Sequence, residues 1–103
     1  MSQSPHPVVG IDDTIHQRSR LGILAMLRSG VAVEFAALRE ALQLTDGNLN
    51  RHLKVLQTAG HLETERQTGR GRPKTWVTIT KQGAAALDEE LASLRALIAA
   101  AGG

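Results

Sequence analysis

Apolar and polar positions alternate along this chain with two periods, one helical and one extended. A first helix is expected from Asp12 or Asp13, either of which can cap it, to about Ser29, with Gly30 as a left-handed stop. Its centre, LGILAML from Leu21 to Leu27, is apolar on every side of the helical wheel and must be covered on every side. One face can pack on the chain's own core, and a second subunit is the obvious cover for the other. Val31 to Val33 forms a short strand candidate, and Phe35, Leu38 and Leu42 stand at the spacing of a short second helix. Thr45 then caps a third helix, 45–59, in which Leu49, Leu53 and Leu56 share one face and Gly60 closes the end. Leu62, Thr64 and Arg66 alternate with Glu63 and Glu65 in a first strand. In a second strand Trp76, Thr78 and Thr80 alternate with Val77 and Ile79, and segment 67–74 makes the hairpin. Val77 and Ile79 are expected inward, with Trp76 on the opposite face near the hairpin base. Thr80 caps a last helix with Gly83 in its first turn. There Ala84, Leu87, Leu91, Leu94, Ile98 and Ala101 recur at the alternating three and four spacing of a heptad seam. The part of this seam beyond Leu91 runs past the body of the domain, where pairing with a second copy is the better use for it.

The expected fold is mainly α with a small β-hairpin (α+β). Two helices three or four residues apart, the second basic and followed by a hairpin, make a winged helix-turn-helix, here with an extended C-terminal dimerisation helix. The chain is expected to divide into a flexible N-terminal arm over 1–10, a winged helix-turn-helix body over 11–82 and the C-terminal helix over 83–103, all within one structural domain. A chain of 103 residues, 42% of them apolar, supports one core, and its small size makes a partner subunit useful as further cover. The absence of cysteine removes disulfides, thiolate metal sites and a cysteine nucleophile. No signal-like segment and no run of roughly 18 apolar residues is present, which points to a cytoplasmic protein that does not enter a membrane.

Charge changes the picture most. The net charge is only +2, but residues 47–82 hold Arg51, Lys54, Arg66, Arg70, Arg72, Lys74 and Lys81 against Glu63 and Glu65. The flanking segments are both slightly acidic. Such a concentrated positive field fits a polyanion. On the third helix the face opposite the leucines presents Gly47, Asn50, Arg51, Lys54 and Thr58, with Gln57 at its edge. These side chains can pair with base edges or touch phosphate, and Gly47 allows close approach, so helix 45–59 reads as a recognition helix for the major groove of double-stranded DNA. Thr45, Asn48 and Asn50 at its start, with Arg51 and Lys54, are the candidate contacts. A merely solvated basic face is the blander reading. His52, at the edge of the apolar face, reads as a packed, hydrogen-bonded histidine. The hairpin tip, Gly69-Arg70-Gly71-Arg72-Pro73, has the glycine and proline of a tight turn, but a turn does not require two arginines. Arg70, Arg72 and Lys74 are therefore candidates for the DNA backbone or the minor groove.

Other clusters carry less. Asp12 and His16 stand four apart on one helix face, a ligand spacing that lacks further histidine or cysteine, so no metal is assigned. Asp88, Glu89 and Glu90 read as a solvated outer face. No Ser-His-Asp order, phosphate loop or zinc-protease motif is present, so no enzyme activity and no cofactor are expected.

The ordered set Arg20-Leu21-Gly22-Ile23-Leu24, Leu44-Thr45-Asp46-Gly47-Asn48-Leu49 with His52-Leu53, Leu56 to Leu62, Arg72 to Trp76 and Ile79 to Gly83 resembles a known group. Over about residues 11–90 it is similar to the winged helix-turn-helix regulators of the ArsR and MarR type, and to their small stand-alone members. The resemblance implies a cytoplasmic, nucleoid-associated homodimer, commonly a repressor, joined by its first and last helices. It places recognition helices in successive major grooves of a near-palindromic operator, with wings 67–74 on the backbone or minor groove. Leu21, Leu24, Leu87, Leu91, Leu94 and Ile98 are the corresponding candidates for the dimer interface. Metal-sensing members carry Cys or His clusters that this chain lacks, and no residue specifies a small-molecule effector. The residues alone leave two other readings open: a winged-helix module that binds another protein, and an architectural binder of any A·T-rich duplex.

Overall fold

The computed structural model describes the backbone of residues 7–102 and the side chains of residues 17–102. The order is α1 (Pro7–Met26), β1 (Val33–Glu34), α2 (Phe35–Leu42), α3 (Asp46–Thr58), β2 (Leu62–Gln67), β3 (Lys74–Ile79) and α4 (Lys81–Ala100). The strands form one antiparallel sheet in the order β1-β3-β2. With the four helices, this three-stranded sheet makes the α+β arrangement expected from the two periods.

Two boundaries differ from expectation. Helix α1 starts at Pro7, so Asp12 and Asp13 lie inside it rather than capping it, and the last four positions of the presumed arm are its first turn. Proline is well suited to that opening, because its fixed φ is helical and its missing N–H has no partner in a first turn. The strand expected at Val31 to Val33 is instead Val33–Glu34, set by pairing of Val33 with Val77 and of Glu34 with Trp76.

The core comprises Ile23, Leu24 and Leu27 of the first helix and its end, Leu38 of α2, Leu49, Leu53 and Leu56 of α3, Leu62 and Val77 of the sheet, and Leu87 of α4. Leu21, Phe35, Leu42, Ile79 and Leu91 pack around it half-buried. Each fully buried leucine contributes on the order of 1.5–3 kcal/mol relative to exposure. Helix α2 ends where Gln43 turns left-handed (φ 54°), which leaves the three residues 43–45 between α2 and α3. Gly83 lies in the first turn of α4 directly on the β2 entry. A Cβ there would stand 1.9 Å from the carbonyl oxygen of His61, so only glycine lets the helix come this close.

Candidate nucleic-acid interface

Helix α3 is fastened at both ends. At its start the Thr45 hydroxyl accepts a hydrogen bond from the backbone N–H of Asn48 at 3.1 Å, as a helix cap does. Arg39 of α2 donates to the Asp46 carboxylate at 2.9 Å, which pins α2 to the first residue of α3. That hydrogen bond and the charge of Asp46 raise the Arg39 guanidinium further above its ordinary value. In return, Arg39 offsets a carboxylate that would otherwise repel phosphate at this helix end. At the far end Gly60 takes φ +83°, and the His61 N–H donates to the Leu56 carbonyl at 2.9 Å. The Thr80 hydroxyl donates to the Gly60 carbonyl at 2.6 Å and accepts from the Gly83 N–H at 2.9 Å. One threonine thus caps α4 and holds the end of α3.

With its ends fixed, α3 buries Leu49, His52, Leu53 and Leu56. His52 is 3% exposed, and Arg20 Nε donates to its Nδ1 over a long 3.4 Å, as expected for a packed histidine. The opposite face leaves Gly47, Asn48, Asn50, Arg51, Lys54, Gln57 and Thr58 exposed.

The hairpin stands beside this face. Arg66 pairs in register with Thr75, and Thr64 with the buried Val77, so Thr64 and Arg66 share the sheet face that looks toward α3. A cleft of about 590 Å³ separates the two elements, with Asn50, Lys54 and Gln57 on the helix side and Thr64, Arg66 and Thr75 on the hairpin side. Its walls offer amide, hydroxyl and cationic groups, which are donors to phosphate and base edges. At the tip, Gly69 (φ +137°) and Gly71 (φ +78°) use backbone angles that disfavour side chains, and so hold Arg70 and Arg72 out in an exposed loop, with Lys74 exposed at the start of β3. None of these three has an ion pair among the described residues. Trp76 lies on the outer sheet face, where its indole N–H donates to Gln67 at 2.9 Å and steadies the hairpin base.

Most of the residues singled out from the sequence come together here. Asn50 and Lys54 line the cleft, Gly47, Asn48 and Arg51 lie exposed on the same helix, and the arginines of the tip extend beyond it. Thr45 is engaged as the cap. Arg66, Thr64 and Thr75 were not singled out as contacts, although the two-residue alternation already placed Arg66 and Thr64 on one face. The Asp12 and His16 pair lies outside the described side chains. Among the described residues no group of three or more His, Cys, Asp or Glu could hold a metal ion.

At the other end of the molecule the candidate interface residues separate into two sets. Leu24 (6% exposed) and Leu87 (1%) belong to the chain's own core, so they have little surface left for a partner. Leu21, Leu91 and Leu94 are half-buried, while Leu97 (66%) and Ile98 (57%) are open. Asp88 is not part of a merely solvated acidic face, since its carboxylate takes two hydrogen bonds from Arg28, at 3.2 and 3.3 Å.

A family model described as a winged helix DNA-binding domain matches residues 19–98, which takes in every described element of the site. The chain belongs to the winged helix DNA-binding domain family. This winged helix is 47% identical over 64 residues to the uncharacterized protein MJ0432 of Methanocaldococcus jannaschii, a match that spans 62% of this chain and 70% of that one. It is 36% identical to a transcriptional regulator homologue protein from Pyrococcus horikoshii OT3, over 79% of this chain and 80% of that one, with a TM-score of 0.72. A PadR-like transcription factor from Bacteroides fragilis shares the fold, with a TM-score of 0.80 over 88% of this chain and 93% of that one at 18% identity. The winged helix is accordingly a DNA-binding transcriptional regulator. Among the described residues no helix is long and apolar enough to cross a membrane.

Proposed function

We propose that this winged helix reads a near-palindromic operator in duplex DNA as a homodimer and represses transcription from it, in the cytoplasm and in association with the nucleoid. The observation that carries the reading is the cleft between α3 and the hairpin, whose two walls present Asn50, Lys54 and Gln57 to Thr64, Arg66 and Thr75. Helix α3 enters the major groove with Gly47 leading and Asn48, Asn50, Arg51 and Lys54 as base or phosphate contacts. The wing carries Arg70, Arg72 and Lys74 to the flanking backbone or minor groove. Dimerisation is supported by the open Leu97 and Ile98, which continue the half-buried Leu91 and Leu94 along α4. A two-fold dimer would read half-sites about one helical turn apart, ~34 Å, or a multiple of it.

Selection of bound sites from random duplexes, followed by fluorescence anisotropy on the selected site, tests the proposal. Arg51→Ala should cost ~1–3 kcal/mol of discrimination at one base position, and Arg70→Ala with Arg72→Ala should weaken all sequences alike. Four phosphate contacts per protomer would give a log K against log salt slope near −7. Selection that returns no consensus would point to an architectural binder, and unchanged DNA affinity in both variants would point to a protein-docking role.

A further inference from the structure

Helix α3 begins with a carboxylate and a glycine, Asp46 and Gly47, both exposed. We propose that Asp46 reads a cytosine in the major groove: one carboxylate oxygen is held by Arg39, the other accepts from the exocyclic amino group of the base, and Gly47 lets the helix end come close enough. This rests on the reading of α3 as the major-groove helix, and adds to it the base that its acidic residue selects.

Gly47 is the residue that its own chain least explains. It lies in ordinary helical backbone, outside the left-handed region, and a Cβ added there would meet nothing within 4 Å. Glycine is nevertheless the poorest helix former after proline. Neither packing nor backbone angle asks for it, so the bare surface serves something that arrives from outside. The start of a recognition helix is where base edges are met. Asp46, next to it, has a side chain 68% exposed and stands one helical turn before Asn50, on the same face. Arg39 Nη1 donates to Asp46 Oδ1 at 2.9 Å, and Oδ2 has no partner among the described residues.

The chemistry selects one base. A carboxylate only accepts hydrogen bonds. In the major groove cytosine shows an amino donor, thymine and guanine show a carbonyl acceptor, and adenine sets its N7 acceptor beside its amino group. A single free carboxylate oxygen therefore fits cytosine and is repelled where thymine puts O4 in the same place. Arg39 removes the obstacle to using a carboxylate at all, because a bare anion would repel the phosphates on either side, whereas a paired one brings no net charge to the groove. An acidic residue at a helix start favours the helix dipole wherever it points. That alone requires neither a clamp from α2 nor an open place beside it.

Sites selected from random duplexes by the wild type and by Asp46→Asn, then compared position by position in anisotropy titrations with the intact chain, test the proposal. The wild type should prefer cytosine to thymine at one position by about tenfold, the cost of one mismatched pair. In Asp46→Asn, with the oxygen still held by Arg39, a donor replaces the free acceptor. The preference at that position should vanish or reverse while the other positions keep theirs. 5-Methylcytosine, which carries thymine's methyl with cytosine's amino group, should bind as cytosine does. Gly47→Ala should raise the melting temperature and yet lower affinity for the selected duplex by about tenfold, a combination that a glycine needed only by the fold would not give. Arg39→Met should weaken binding to every duplex, and adding Asp46→Ala should restore non-specific affinity. The proposal is overturned by an unchanged cytosine preference in Asp46→Asn, by a Gly47→Ala variant that binds as the wild type does, or by a double variant that stays weak, which would make Arg39 a phosphate contact instead. If the wild type selects no base at any position, the operator reading fails and this proposal with it. If other positions are selected and none answers to Asp46, this proposal alone fails.

Discussion

Helices α3 and α4 each carry one apolar stripe at helical spacing, yet they differ in what covers it. On α3 the whole stripe, Leu49, His52, Leu53 and Leu56, is buried by the same chain. On α4 burial falls along the helix, from Leu87 at 1% exposed through the half-buried Leu91 and Leu94 to Leu97 at 66% and Ile98 at 57%. A periodic stripe says only that a helix needs cover. The gradient of exposure along it says how much of that cover the chain supplies itself. Helix α3 is therefore fixed within one protomer, and the last two turns of α4 are the part the chain itself leaves uncovered.

The comparison breaks most visibly at Leu49. If α3 depends on its own chain alone, Leu49→Ala should cost about 3–4 kcal/mol in urea denaturation, at any protein concentration, as for other leucines cut down in a packed core. A cost below about 1 kcal/mol would mean that the stripe is not fully covered within the protomer. Next comes Gly83→Ala, at about 2–3 kcal/mol, because the added methyl meets the His61 carbonyl at 1.9 Å and the backbone must move. This substitution acts where α3 hands over to α4. It should lower DNA affinity as well as stability, and a variant as stable as the wild type would show that the two helices are not held together at this point.

The same contrast marks what could be read from the sequence. Helices α2 and α3 and the hairpin were legible because their signals are local: Thr45 as a cap, Gly60 as a stop, and the switch from helical to two-residue alternation at Leu62. The start of α1 was misread, since Gly10, Asp12 and Asp13 look like a boundary. None of these residues forbids a helix, and each costs at most about 1 kcal/mol inside one. The position of β1 depends on register with β3, more than forty residues away, and Arg28 with Asp88 is a pair 60 residues apart. No local rule reaches such distances. In the site itself, the two-residue alternation marks Arg66 as a strand residue, but only the fold brings it opposite Asn50 and Lys54.

The open end of α4 gives a smaller effect on the protomer and a larger one on assembly. Leu97→Ser with Ile98→Ser should change the unfolding free energy of dilute protein by less than about 0.5 kcal/mol, since both side chains already face water. Sedimentation at rising concentration should nevertheless show a weaker dimer than the wild type. A core-sized loss of stability in dilute protein would place these residues with the α3 stripe instead.

The smallest effect separates the two halves of α4 from each other. Arg28 and Asp88 join the end of the first helix to α4 one residue after Leu87, the last fully buried leucine of the seam. Both side chains are about half exposed (53% and 55%), so solvent and salt screen the pair, and its coupling in a double-mutant cycle of Arg28→Gln and Asp88→Asn should stay below about 0.5 kcal/mol. Leu87 and the Gly83 contact then hold the lower half of α4, and the ion pair only registers its rotation about the helix axis. A coupling above about 1 kcal/mol would reverse that order. The covered half of α4 would in that case owe its position to charge, and dimer strength would fall as salt is raised even though the seam beyond it is apolar.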